Sequence, residues 1–183
     1  MKRLLIGFFL IFFELGVSLF GFSFGLLPDF VGYFFITKGI MELDDETPRF
    51  YKLRPFTIGM AILTGILYVV DLLGFSGDMG VWGFVLGLVT TAFSLYISYQ
   101  VTTAVSDMEA RRETDLNYKQ LRMYWLITAC LQIGAHAFYW LPIMALIFTL
   151  TGFVASALYL IALNRTRQYH QYLPPVPAEG IEE

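Results

Sequence analysis

Stretches apolar enough to cross a hydrocarbon core recur along this chain and leave its basic residues few places to stand. Six such stretches cover about 4–24, 28–43, 55–73, 81–105, 121–141 and 143–163, with ends that hold to about two to four residues. Most reach the roughly 20 residues that span a ~30 Å core. The 12 Lys and Arg residues are Lys2, Arg3, Lys38, Arg49, Lys52, Arg54, Arg111, Arg112, Lys119, Arg122, Arg165 and Arg167. They fall at the N-terminus, the inner end of the second stretch, the second and fourth connections, and the C-terminus. The first, third and fifth connections hold only Asp29, Asp71 and Asp78 as charges. Lys and Arg concentrate in cytoplasmic loops. The expected fold is therefore an all-α membrane protein of six transmembrane helices in three helical hairpins, a multi-pass protein of a cell membrane with both termini cytoplasmic.

Composition excludes several classes. Hydrophobic residues are 57% and charged residues 15% of the chain, against about 45–50% and 25% in soluble domains. With a mean hydropathy of +0.63 over 183 residues, a soluble fold could not bury that much apolar surface. A net charge of -3 argues against a nucleic-acid partner. Cys130 is the sole cysteine, so no disulfide can close within the chain, and His136 and His170 are too far apart for ordinary zinc spacing. No Walker, dinucleotide, serine-nucleophile or His-Glu-x-x-His motif occurs, so neither an enzyme nor a cofactor is expected. The run after Met1-Lys2-Arg3 reads as an uncleaved span: it continues past Phe20, Glu14 interrupts it, and no small-x-small site follows. Residues 1–169 read as one transmembrane domain. Residues 170–183, with three prolines and three glutamates, read as a disordered cytoplasmic tail.

The second stretch is short, about 24 Å from 28 to 43 at 1.5 Å per residue. Its start, Pro28-Asp29, suits a helix N-terminus, where a missing N–H costs nothing and an anion is favoured. In the polar fourth connection, Asp107 with Arg111 and Asp115 with Lys119 are spaced for pairing on a helix surface, so the fourth helix should extend beyond the membrane.

Each stretch also carries small or polar residues at steps of three and four. Examples are Gly7, Glu14, Ser18 and Gly21; Asp29, Gly32, Ile36 and Gly39; Gly83, Gly87, Thr91, Ser94 and Ser98; and Thr128, Gln132, His136 and Tyr139. Lipid offers helices no hydrophobic reason to associate, so such stripes mark packed faces. Gly32, Gly39, Gly83 and Gly87 are the expected close-approach positions.

Four groups exceed what packing needs. Glu14, near the middle of the first stretch, costs at least ~2.5 kcal/mol if charged. It reads either as a proton or cation site or as a neutral hydrogen-bonding group. Asp29 reads first as a helix start and Asp71 as a solvated loop carboxylate. His136, one turn after Gln132, reads as a hydrogen-bonded histidine whose ordinary pKa near 6.5 suits a proton relay. If their stripes converge, Glu14, Asp29, Asp71, Gln132 and His136 line one outward-facing polar cavity for a proton or small solute.

The stretch Leu27-Pro28-Asp29-Phe30-Val31-Gly32-Tyr33, with Leu95-Tyr96-Ile97-Ser98-Tyr99, resembles a loose group of uncharacterised bacterial multi-pass membrane proteins. That resemblance implies the bacterial setting and no activity. The lone carboxylate Glu14 in the first span is similar to that of the small multidrug transporters. Those have four helices, so what the likeness implies is confined to a proton-coupled site. Two functions are expected to compete: binding or transport of a small solute, and a non-catalytic membrane subunit or scaffold assembling with a partner membrane protein or a second copy.

Overall fold

The computed structural model describes residues 1–17, 29–74 and 80–172, without the side chains of 13–17. It contains α1 (Lys2–Val17), α2 (Asp29–Met41), α3 (Pro48–Leu72), α4 (Gly80–Arg112), α5 (Tyr118–Ala137) and α6 (Pro142–Gln171). No strand occurs among the described residues. Three of these helices, α3, α4 and α6, are long and apolar enough to cross a membrane. The others fall short for separate reasons. α1 has 16 described residues and α2 only 13, while α5 carries Lys119 and Arg122 in its first turns and Gln132 and His136 in its last. Among the described residues there are therefore six helices, and span-forming length and apolarity belong to three of them.

Helix ends follow local chemistry. Thr47 has an extended backbone and its hydroxyl accepts the Arg49 N–H at 3.4 Å, and Pro48 follows in the first turn. That cap starts α3 seven residues before the expected 55, with Pro55 inside the helix. The α4–α5 turn passes through left-handed Glu113 and Asn117. It is held by the Glu109 carboxylate, which accepts the N–H groups of Leu116 at 2.8 Å and Tyr118 at 2.7 Å. α4, with 33 residues, is about 50 Å long and overshoots a ~30 Å core. α6 continues to Gln171, so His170 is helical rather than part of the tail; 173–183 lie outside the described residues.

Each helix packs on its neighbours in sequence, and α6 returns to α1, so the six form a closed ring. α1 and α2 are antiparallel at very close range. A Cβ on Gly7 would stand 2.6 Å from the Gly32 carbonyl oxygen, and one on Gly39 would stand 2.7 Å from the Leu4 amide nitrogen. Only glycine permits that approach of two backbones. Fully buried Phe8, Ile36, Ile40, Met60, Ile97, Met108 and Tyr159 fill the interior. Isoleucines 58, 62 and 66 of α3 stay exposed, as do many apolar residues of α6.

All 12 Lys and Arg residues gather at one end of the ring. Arg3 pairs with Glu42 at 2.7 Å, joining the start of α1 to the end of α2. Arg49 pairs with Asp107, joining α3 to α4, and Arg165 reaches Gln120, joining α6 to α5. The expected pairs within the α4 extension do not form. Asp107 is taken by Arg49 and Thr47, Arg111 donates to the Asp45 carbonyl at 2.8 Å, and Asp115 accepts its neighbour Asn117's N–H at 2.8 Å. Partners on other elements outcompete the solvent-exposed pairing, which is worth only about 0.3–0.5 kcal/mol.

Candidate functional site

One face of α4 organises the interior. Ser94, Ser98 and Thr102 are buried at successive steps of four, and each meets a polar atom of an aromatic residue or its own helix. The Tyr33 hydroxyl of α2 faces Ser94. Trp125 Nε1 of α5 donates to Ser98 Oγ at 3.0 Å. The Tyr159 hydroxyl of α6 lies 3.2 Å from Thr102 Oγ1 and 3.4 Å from the Ser98 carbonyl. Phe8 and Phe12 of α1 each set a ring edge-on to Tyr159 at 6.0 Å. Three helices thus dock on α4 through aromatic side chains, each with a polar tip that is satisfied where it is buried.

Toward the opposite end the same face continues as Thr91, Gly87 and Gly83, and it borders a cavity. A cavity of about 770 Å³ opens between α4, α5 and α6. Gln132, His136 and Tyr139 of α5, Thr149 and Ser156 of α6, and Thr91 of α4 are its polar lining. Phe12, Phe84, Phe148 and Phe153 are its aromatic walls. Its volume and mixed lining suit a small molecule.

The cavity's polar groups are arranged with one vacancy for a hydrogen bond. His136 Nδ1 lies 3.1 Å from the Gln132 backbone carbonyl. A carbonyl can only accept, so Nδ1 is the donor in this bond. Nε2 stands 3.5 Å from Thr91 Oγ1, at the long limit of a hydrogen bond. The Gln132 side-chain oxygen is buried with no partner among the described residues, as is the Thr128 hydroxyl. Phe84 and Tyr139 flank the histidine, their rings 4.9 Å apart.

The expected site residues separate. Gln132 and His136 meet in this cavity. Asp29 is half-buried in the first turn of α2, and Asp71 is exposed in the last turn of α3; neither lines it. Glu14 belongs to α1, but its side chain lies outside the described residues. Gly32 and Gly39 sit at the α1–α2 contact, whereas Gly83 and Gly87 line the cavity. A Cβ on Gly87 would meet nothing within 4 Å, so the close approach expected of Gly83-x-x-x-Gly87 does not occur at Gly87. The motif needs a facing backbone, and none of the described residues brings one within reach of Gly87. Among the described residues no group of three or more His, Cys, Asp or Glu could hold a metal ion.

A second polar cluster sits at the basic end and joins residues no sequence spacing connects. Glu46, between α2 and α3, accepts from Arg112 Nε at 3.0 Å and from Arg112 Nη2, and lies 3.1 Å from His170 Nε2. The partners are 66 and 124 residues away along the chain. Burial by itself would raise the Glu46 carboxyl; hydrogen bonds from Arg112 and His170, and their charges, outweigh it and hold the pKa below the ordinary carboxylate value. The only sequence signal was a run of acids facing a run of bases.

No protein-family model matches the chain, and no curated protein or solved structure is significantly similar to it.

Proposed function

We propose that this chain is a six-span bacterial membrane protein with cytoplasmic termini, and that its α4–α5–α6 cavity binds a small, mostly apolar solute. Three apolar helices and the gathering of every Lys and Arg at one end support the topology. The observation that carries the binding reading is the unpartnered Gln132 oxygen in an aromatic cavity of about 770 Å³. A buried acceptor without a partner costs about 1–3 kcal/mol. A solute bearing one N–H or O–H donor would relieve that cost, and the aromatic walls would take its apolar body. The aromatic walls and the separation of Asp29 and Asp71 from the cavity favour a neutral or weakly polar solute over an inorganic ion. Coupling to protons, if the solute is moved, falls to Glu14. The reading is of a binder or transporter, not an enzyme.

Cysteine accessibility tests it. In a Cys130→Ser background, Ala145→Cys in the cavity should react with a small water-soluble thiol reagent, and Ala129→Cys, buried behind it, should not. Small neutral alcohols and amides should protect position 145 in the wild-type cavity and not in Gln132→Leu. An unreactive Ala145→Cys would remove the cavity and the binding reading with it.

A second reading, a subunit that assembles with another membrane protein, draws on a shallow groove between α1 and α6. Its wall of Leu5, Ile6, Phe9, Leu160 and Ile161 includes one amide, Asn164. In lipid such an amide seeks a hydrogen bond from another helix. A stoichiometric membrane protein that co-purifies with wild type and is lost in Asn164→Leu would favour this reading.

A further inference from the structure

The geometry points to a binding site for a monoanionic phospholipid in the groove between α3 and α4 at the basic end. The groove encloses about 490 Å³ and is lined by Arg49, Lys52, Phe56, Tyr96, Gln100 and Asp107, among others. Arg49 is held in place by Asp107 and by Gln100 Oε1 at 3.5 Å. Lys52 is exposed and has no ion-pair partner among the described residues. Two cations against one carboxylate leave the groove with one positive charge in excess, which a single phosphodiester neutralises.

The other half of the groove suits the rest of a lipid. Phe56 and Tyr96 form its apolar side, their rings 5.2 Å apart. Beyond them α3 exposes Ile62 and Ile66, and α4 exposes Phe93. The groove therefore passes from a cationic pocket to a continuous apolar surface within the length of one lipid. A basic pocket between spanning helices at the cytoplasmic boundary takes an anionic head group, with acyl chains along the helices. A zwitterionic lipid would bring its own cation toward Lys52, so the groove discriminates by charge. The site rests on the membrane reading but not on the α4–α5–α6 cavity.

Native mass spectrometry of the detergent-solubilised full chain, with equimolar phosphatidylglycerol and phosphatidylcholine, tests it. Wild type should retain one phosphatidylglycerol in preference. Lys52→Gln should lower that preference about fivefold, the effect of one surface cation. Lys2→Gln, at the same end but outside the groove, should leave it unchanged. Equal retention of the two lipids by wild type would overturn the site, as would an equal loss in Lys2→Gln, which would mean diffuse attraction. Displacement of the lipid by millimolar inorganic phosphate would make this a free-anion site and overturn the lipid assignment. A chain that stays dissolved without detergent would remove the membrane reading itself.

Discussion

The two halves of α4 carry the same kind of face and meet opposite fates. From Ser94 to Thr102, hydroxyls at steps of four receive Tyr33, Trp125 and Tyr159, and the interior is closed. From Gly83 to Thr91, the face borders open space of about 770 Å³. The difference lies in what the neighbours present. Toward the basic end, α1, α2 and α6 bring aromatic rings and glycine-mediated backbone contact. Toward the other end, α5 and α6 present Gln132, His136, Tyr139, Phe148 and Phe153 around the cavity, and none of these comes within 4 Å of where a Cβ on Gly87 would stand. A small-residue stripe in a membrane helix is thus a permission to approach, and a large partner side chain decides whether the approach fills.

Substitutions can break or sharpen this contrast. The largest effect should come from Gly7→Leu. Its Cβ would press on the backbone of α2 at both Gly32 and Ile36, which flexible side chains cannot relieve. Overpacking commonly costs about 1–3 kcal/mol and more where backbone must move. Little monodisperse protein should survive detergent extraction, measured by size-exclusion chromatography. A normal yield would mean that the closed half is not rigid.

Next in size is Glu46→Gln, which leaves Arg112 half-paired where both side chains are only 10–12% exposed. Breaking a buried pair costs up to about 3–5 kcal/mol, with glutamine toward the lower end because it keeps one acceptor. The pH dependence has a definite sign. The carboxyl pKa is lowered by folding, so its stabilisation is complete above the unfolded value of about 4.3 and is lost as pH falls through the folded value. Melting temperature of the wild type should drop on that acid limb, and Glu46→Gln should flatten it.

Tyr159→Phe removes a hydroxyl shared by Thr102 and the Ser98 carbonyl. The loss should be about 0.6–2 kcal/mol, the range for interhelical hydrogen bonds in membranes, read as a lower melting temperature with unchanged helicity. Smallest is Gly87→Ala. Its new Cβ meets nothing within 4 Å, and alanine is the better helix former by up to about 1 kcal/mol. Stability should hold or rise slightly, where Gly7→Leu collapses the protein. A marked loss in Gly87→Ala would mean the open half closes in the folded protein.

Much of the helical plan was legible from residues alone. The Thr47-Pro48 start of α3 lies seven residues before the expected 55, whereas the long α4 and the grouping of charges follow from apolar length and basic-residue placement. So does the presence of His136 one turn from Gln132, and their meeting in a cavity needed only one helix face. What failed at Gly87 was an inference about a second helix from the pattern of one. The position of Asp29 and Asp71 away from the cavity has the same origin: which faces converge depends on how the ring closes.

By itself, then, the sequence determined the helical, apolar class of the molecule and its single basic end, because solvation and backbone hydrogen bonding act locally and through composition. Tertiary structure alone decided that Glu46 would join Arg112 and His170, and that Ser98 would serve Trp125 while Thr102 served Tyr159. It also set Gly83, Gly87 and Thr91 of α4 against a cavity. Those outcomes depend on distances between helices, and such distances are set by side chains from several segments packing at once.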